Sequence, residues 1–565
     1  MTEVFDIPET NFKEVIIIGG GPCGLATASR LCEETPGAIF SDGEHQRFHW
    51  LRQRGNATNI IGKKKRSLSK SNRRYTPDEI MVLDKVSDRF MGQWDNQFEA
   101  VDIPHLRSPM FFHPDPNDID GLLSFAHSSG RQNELKEING VVGQEITKHQ
   151  QKKMRSKRKN SMEMKSSKQK NVGLVEIDHR NRFDYYRPGT KLFHDFCESL
   201  VNRYELENVV RQADVVDIKY GEVNKIMLNG EIENGMGFQI ETADGDIFGC
   251  KVAILAVGPA GEPNYPLLPE IDNKFGVGSC HAAQMFRKQA MVPTQRMQDK
   301  INMKKHTEVV VIGGGLTSAQ LTELLVKKGV GKIHYVIRGE IKIKHFDFHL
   351  EWVTKYQNFM KSTFWMKDTD MERYEMIEDA RGGGSVNPQY HKVLMKLADM
   401  GKIEIHKHCE IKDKVWDEEK QLWSNVEFMD KINNTTKTFT DIDYILYATG
   451  IKADVESLPM MKSICTEHPI EVIKGRFAML RTGPSSANLD GGRIGAERIG
   501  WYVQHLKETG SMKYQKIVSI DGQAIMSDEK PEVKEIEYKS DKVTDMMKCT
   551  GGRVNWYSFL DTAAA

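Results

Sequence analysis

Glu14-Val15-Ile16-Ile17-Ile18-Gly19-Gly20-Gly21-Pro22-Cys23-Gly24 decides the fold. The apolar run Val15–Ile18 has the composition of a strand buried on both faces. The residues after it, Leu25-Ala26-Thr27-Ala28-Ser29-Arg30-Leu31, are small and apolar at helical spacing. Gly19, Gly21 and Gly24 satisfy G-x-G-x-x-G between strand and helix. One glycine makes the tight turn, one lets a pyrophosphate approach the backbone, and one lets helix and strand pack closely. The helix start at Pro22-Cys23 offers unpaired amides to phosphate oxygens. An acid for a ribose hydroxyl is expected about 20 residues on. Asp42 closes the apolar run Ala38-Ile39-Phe40-Ser41 and fits that place, with Glu44 the competing choice.

A second copy begins 294 residues later, where Glu308-Val309-Val310-Val311-Ile312 precedes Gly313-Gly314-Gly315-Leu316-Thr317-Ser318. Ser318 stands at the third-glycine position, small enough to keep the packing. The next strand, Lys332–Ile337, ends in Arg338, a residue that accommodates a ribose 2′-phosphate where an acid would select the free hydroxyl. Lys342 and Lys344 add positive charge nearby, so an NADPH preference is expected, against the alternative of Arg338 as a strand-end surface cation. Two more apolar strands end in small residues, Ala256-Val257-Gly258 and Ala448-Thr449-Gly450. Each follows a stretch read as a hairpin, one of them turning at Asp244-Gly245.

Composition excludes several classes. The 565 residues carry 79 basic and 79 acidic groups, with 39% hydrophobic and 28% charged residues. At roughly 150 residues per domain the length allows three to four domains. No run approaches the ~18 apolar residues of a membrane span. Met1–Asp6 lacks the basic and apolar regions of a signal peptide, so the cytoplasm is the expected location, with the nucleus as the alternative the basic runs offer. The eight cysteines form no C-x-x-C or C-x-x-x-x-C pair, which removes both a thioredoxin-type redox motif and a zinc ribbon. The zero net charge conceals two basic runs. Residues 63–74 hold seven basic groups and no acid, and residues 148–170 hold ten against one. They read as solvated insertions, or alternatively as a localisation or anionic docking segment. Neither run is interleaved with aromatics, so nucleic acid is not an expected partner. His345-Phe346-Asp347-Phe348-His349 has histidines at i,i+4 but lacks the glutamate of a zinc-protease motif, and a structural turn is the expected reading, with no metal.

The order of these motifs resembles the flavin-dependent monooxygenases with two dinucleotide-binding domains. Within them it is most similar to the N-hydroxylating ornithine and lysine monooxygenases. It is closer still to uncharacterised FAD/NAD(P)-binding proteins, and more distantly similar to the oxidative-stress-induced growth inhibitors. The specific segments are Ile103–Phe112, Arg182–Pro188 with the helix after it, and Gly483–Leu489 opening a helix of small residues. The resemblance implies an α/β protein of two Rossmann-like, three-layer domains, the NADPH domain inserted into a discontinuous FAD domain. The expected parts are 1–300 and 451–508 for FAD, 301–450 for NADPH, and a C-terminal extension 509–565 whose aromatic end packs on the chain itself or on a second subunit.

The cofactors implied are FAD and NADPH, and the activity is monooxygenation of a small molecule with O₂ through a flavin C4a-hydroperoxide. The alternatives are an NAD(P)H-dependent flavin oxidase or reductase without oxygen insertion, and a non-catalytic redox-sensing regulator. By the resemblance, Arg107 falls at the lysine that binds a substrate carboxylate, and Asn488 belongs to the reacting centre. Asp102 stands where the family has a glutamine beside the flavin. His105, Leu106, Pro484 and Leu489 join Gly19, Gly21, Pro22, Cys23, Gly24, Gly258, Gly313, Gly315, Thr317, Ser318, Arg338, Thr449 and Gly450 as cofactor contacts. A homo-oligomer is compatible with this reading.

Overall fold

The computed structural model describes residues 4–33, 36–38, 75–139, 141, 185–258, 261–266, 277–353, 356–452, 455, 457–468, 479–512 and 515–518. Asp42, Glu44, both basic runs and most of the tail lie outside the described residues.

The first apolar run forms the strand Phe12–Ile18, with Val15, Ile16 and Ile17 wholly buried. It lies inside an eight-stranded sheet. Across the sheet the order is Val4–Pro8, Val215–Ile226, Ile232–Thr242, Ile247–Leu255, Phe12–Ile18, Ile80–Asp84 and Val210–Gln212. The last four run parallel, and Ile232–Thr242 pairs antiparallel with both of its neighbours in that order. On one face Val15, Ile17 and Val82 pack against the helices Pro22–Cys32 and Thr190–Tyr204. On the other, Ile16, Ile18 and Leu83 meet Ile240, Phe248 and Met461. The side chains of a strand alternate between faces, so an uninterrupted apolar run supplies both cores at once.

The second unit repeats the plan. Ser279–His281, Tyr444–Tyr447, Glu308–Ile312, Lys332–Val336 and Ile403–His406 form an all-parallel sheet. Helices Leu316–Lys327 and Pro388–Asp399 cover one face through Val309, Val311, Ile333 and Tyr335. A three-stranded antiparallel meander, Cys409–Asp417, Leu422–Asp430 and Thr435–Phe439, covers the other through Trp423, Val426 and Phe428. The fold is α/β with two Rossmann-like halves.

Two boundaries move. The second unit was expected to start at residue 301, yet Ser279–His281 already pairs with Tyr444–Tyr447 in its sheet. The three-residue strand is too short to show a periodicity of its own. The extension expected from residue 509 starts inside the first unit. The helix Leu489–Thr509 packs against Pro22–Cys32, and Gln515–Val518 adds an antiparallel strand beside Ile232–Thr242. Among the described residues no helix is long and apolar enough to cross a membrane.

The contact between Pro22–Cys32 and Leu489–Thr509 carries a charge pair. Arg30 donates through Nη2 to Glu497 Oε1 at 2.7 Å and through Nε to Oε2, with the side chains 1% and 6% exposed. A β-carbon on Gly500 would lie 3.1 Å from the guanidinium carbon, so the glycine makes room for the pair. Removing one partner of a buried pair strands the other charge and costs about 3–5 kcal/mol. Glu497→Gln therefore lowers the urea midpoint of unfolding by that equivalent. The double variant Arg30→Met/Glu497→Gln loses less than Glu497→Gln alone, as urea titration of both proteins will show.

Candidate functional site

Both glycine turns are closed by the same device. Gly19 has φ +112°, and a β-carbon there would lie 2.4 Å from the Ala256 carbonyl oxygen. Gly313 has φ +152°, and its β-carbon would lie 2.3 Å from the Ala448 oxygen. The small-residue strand ends seen in the sequence are thus the walls against which the turns fold. Gly24 completes the first turn, since its β-carbon would fall 2.0 Å from the Gly19 oxygen. At the equivalent place Ser318 is fully buried, its hydroxyl donating to Gly315 O at 2.7 Å and paired with Tyr335 Oη at 2.8 Å. Gly21 and Gly315 cap their helices with no side-chain partner, leaving first-turn amides for a phosphate. Nothing lies within 4 Å of a β-carbon at Gly21, so that approach is open. Thr317 is half-buried in the first turn of its helix, and Arg338 is exposed at the end of Lys332–Val336. Gly258 and Gly450 take left-handed φ of +58° and +85° just past their strands. Beside Gly450, Thr449 donates to the Asn264 carbonyl, and Asn264 N donates to Gly450 O at 3.0 Å. The two crossing segments therefore run together.

Asp42 and Glu44 lie outside the described residues, and the described structure offers a further acid for the ribose. The strand following the first helix in the sheet is Ile80–Asp84, and it ends in an acid. Asp84 Oδ2 accepts from Gly20 N at 2.7 Å, while Oδ1 accepts from Val86 N at 2.8 Å and Ser87 N at 3.1 Å. The signal was legible as Ile80-Met81-Val82-Leu83-Asp84. It was missed because a long insertion displaces it from the usual spacing.

The two turns open onto one seam. A β-carbon on Gly492 would touch Cys23 Sγ at 2.9 Å, which places the 483–492 segment on the first turn. One on Gly384 would lie 3.2 Å from Gly315 Cα, which places the 381–385 segment on the second. Between them, Arg381 donates to Pro484 O at 2.8 Å and pairs with Asp347 at 2.9 Å. Asn488 caps the helix Leu489–Thr509 by accepting from Asp490 N at 3.1 Å, and its amide reaches Asp347 at 3.4 Å. Leu489 packs half-buried between two cores.

Arg107 differs from expectation. Its guanidinium donates to the carbonyls of Lys344 (2.9 Å), His345 (3.0 Å), Phe346 and Ser385 (3.4 Å), and to Ser385 Oγ (2.9 Å). Burial pulls its pKa down to about 10. Five protein acceptors surround the fork where the resemblance implied a substrate carboxylate, and the residue clamps the 344–346 turn to the first unit. That turn contains His345 and Phe346, which supports the structural reading of the His345–His349 segment. Asp102 is an exposed helix C-cap with φ +50°. His105 is half-buried and bridged to Gly189, its pKa lowered to about 4 first by burial and then by Lys136 and Arg187. Leu106 is buried, with its amide on Pro188 O at 3.0 Å. Sequence reasoning also missed Arg493, which is buried and donates to Phe111 O at 2.9 Å and His113 O at 3.4 Å.

With this geometry in place, the sequence profile described as pyridine nucleotide-disulphide oxidoreductase matches residues 162–474. The chain belongs to that family. It is an oxidoreductase built on the family's paired nucleotide-binding units. No curated protein matches it in sequence. Among solved structures it is similar to the ornithine hydroxylase of Pseudomonas aeruginosa (14% identity, TM-score 0.51, 87% of this chain and 99% of that one). It is likewise similar to the ornithine N-hydroxylase of Kutzneria sp. 744 (12%, 0.52, 88% and 100%). The L-lysine 6-monooxygenase of Pseudomonas syringae is comparable (14%, 0.50, 87% and 99%). These likenesses show a shared fold over nearly the whole length of each relative. Among the described residues Cys23, Cys32, Cys197, Cys250, Cys280, Cys409 and Cys465 form no disulphide.

The wall beneath the seam titrates. His113 is fully buried, with Nε2 donating to Ile119 O at 2.8 Å and Nδ1 accepting from Asp115 N at 3.2 Å. Burial, then Arg493, pushes its pKa down to about 3. The folded protein thus resists a proton that the unfolded chain takes up near pH 6.5. Its stability is intact above 6.5 and is lost as pH falls from there toward 3, by about 1.4 kcal/mol per unit from this group. Thermal melts between pH 7 and 4 should show a decline in the wild type that His113→Gln makes shallower by that amount.

Proposed function

We propose that the chain is an FAD-dependent, NADPH-using monooxygenase acting on a small molecule with O₂. The observation that carries this is the convergence of two glycine turns, each closed against an alanine carbonyl, on one seam lined by 344–349, 381–385 and 483–492.

The residues present suit both groups. Gly19, Gly21, Pro22, Cys23 and Gly24 would hold the FAD pyrophosphate, with Asp84 toward its ribose. Asp42 and Glu44, the acids expected from spacing, lie outside the described residues. Gly313, Gly315, Thr317 and Ser318 would hold the NADPH pyrophosphate, and Arg338 its 2′-phosphate. On this reading Gly258, Thr449 and Gly450 would border the two clefts, and His105, Leu106, Pro484 and Leu489 would contact the cofactors. Flavin bound there supplies hydride acceptance and oxygen activation. The chain supplies position and exclusion of water. Arg107 fixes the 344–346 turn, while Arg381 ties Asp347 to the Pro484 carbonyl, so the seam is lined by groups already paired. Asn488, held by Asp490 N and reaching Asp347, would lie at the reacting centre on this reading. With Arg107 committed to carbonyls, a substrate carboxylate would need another partner, so a substrate other than ornithine is favoured.

The test is anaerobic reduction of the purified flavoprotein by NADPH, followed by O₂ and a substrate library. Oxygenated product formed in proportion to NADPH supports the proposal. Peroxide formed with every substrate and no product would leave a flavin oxidase, and protein without flavin would overturn both readings. Losing a charged hydrogen bond costs about 1.5–3 kcal/mol. Arg338→Ala should therefore lower kcat/KM for NADPH by about 10–100-fold, leaving NADH nearly unchanged in steady-state assays.

A further inference from the structure

The second unit holds a polar cluster that neither glycine turn uses. His334 lies on the strand Lys332–Val336, and Glu404 and His406 lie two residues apart on the neighbouring strand Ile403–His406, where His334 pairs with Glu404 and Val336 with His406. Parallel register and a period of two put all three side chains on the same face of the sheet. This is the face covered by the meander, away from helices Leu316–Lys327 and Pro388–Asp399. Both histidines are buried, 3% and 5% exposed by side chain, while the Glu404 side chain is 53% exposed. The Phe439 ring lies 4.3 Å from His334 and 4.9 Å from His406 and closes the inner side.

We propose that His334 Nδ1, His406 Nε2 and a Glu404 carboxylate oxygen form a binding site for a zinc-class divalent cation, separate from the cofactor clefts. Three observations carry it. First, one ligand atom from each residue can be chosen so that all lie within 4.8 Å of one another, and the two ring nitrogens are 3.2 Å apart. Two imidazole nitrogens on one tetrahedral zinc, each at about 2.0–2.1 Å, stand about 3.3 Å apart. Second, Glu404 Oε1 is 3.8 Å from His406 Nε2, and Oε2 is 3.9 Å from His334 Nδ1. Its exposed side chain needs only a small rotation to complete the third corner, leaving the fourth to water. Lys332 holds Oε2 at 3.0 Å, so Oε1 is the ligating oxygen. Third, the remaining nitrogen of His334, Nε2, is 3.0 Å from Glu308 Oε2, and the other oxygen of Glu308 is 2.8 Å from His306 Nε2. A carboxylate that takes the outer N–H of an imidazole fixes its tautomer and aims the inner lone pair at a metal. Two imidazoles and one carboxylate suit zinc, cobalt or nickel rather than magnesium or calcium. When the ion enters, the proton that His406 Nε2 shares with His334 moves to His406 Nδ1, so charge and atoms balance without a co-reactant.

The test uses the full chain, stripped with a chelator, dialysed and titrated with Co(II) alone. The wild type should take up one equivalent at this site, with visible d–d bands of low coordination number and a higher melting temperature. His406→Asn and Glu404→Ala should each abolish that equivalent, and Glu308→Gln should weaken it by about 10–100-fold. Glu404 is more than half exposed, so Glu404→Ala keeps the test decisive if the buried histidine variant fails to fold. No stoichiometric uptake by the wild type would overturn the proposal and leave Glu308, His334 and His406 as a hydrogen-bonded chain. Uptake with unchanged bands in Glu404→Ala would overturn it equally.

Discussion

A carbonyl oxygen sitting where a β-carbon would be governs this molecule. At the end of Phe12–Ile18 and again at the end of Glu308–Ile312, the chain must turn within reach of the neighbouring parallel strand. The turn is pinned on both sides. Gly19 N donates to Leu83 O at 2.8 Å while Ala256 N donates to Ile18 O at 2.8 Å. In the second unit Gly313 N donates to Val336 O at 3.0 Å, and Ala448 N to Ile312 O at 2.8 Å. A side chain on either glycine would push the alanine strand out of register and move the following helix N-terminus with it. The position of that N-terminus decides whether a diphosphate can meet the helix amides. Sheet order then follows, because the two strands flanking each turn diverge at the switch point where ligands of such sheets bind.

The units are joined by cations whose partners are mostly backbone. Arg107 spends its donors mainly on carbonyls of the second unit, Arg381 divides its donors between the Pro484 carbonyl and Asp347, and within the first unit Arg493 Nη1 donates to the Phe111 and His113 carbonyls. A buried guanidinium facing carbonyl dipoles is held by several modest bonds rather than one strong pair, which fixes backbone position more than it adds stability. Such clamping is what a site that must exclude water requires. The 344–349 turn, the 381–385 segment and the start of Leu489–Thr509 are therefore set relative to one another before any ligand arrives.

The two turns, their order and the alanine-ended strands were legible because each depends on local sequence: an apolar run, glycines at fixed offsets and small residues. Asp84 was not, because the rule that finds it counts residues along the chain, and an insertion after residue 38 broke the count without altering the sheet. The protein acceptors around Arg107 were not legible either. Its acceptors lie 237 to 278 positions away, and nothing in its own neighbourhood encodes them. The His334, Glu404 and His406 cluster was silent for a similar reason. One residue comes from one strand and two from another, and only the parallel register between them, set by packing, brings them together.

The family name pairs a nucleotide with a disulphide, and the residues here support only the first. A dithiol that accepts electrons from flavin needs two cysteines close in sequence or space and an attacking thiolate. The sequence holds no closely spaced pair of cysteines. Cys23, at the start of the first phosphate-binding helix, sits where the helix dipole would favour a thiolate. Burial beneath Gly492 nevertheless drives its thiol pKa up. A protonated thiol pressed by a neighbouring helix cannot relay electrons. On the proposed reading, reducing power gathered at the first turn passes to a small-molecule acceptor at the seam, where Arg381 is already paired with Asp347 and Arg107 with carbonyls.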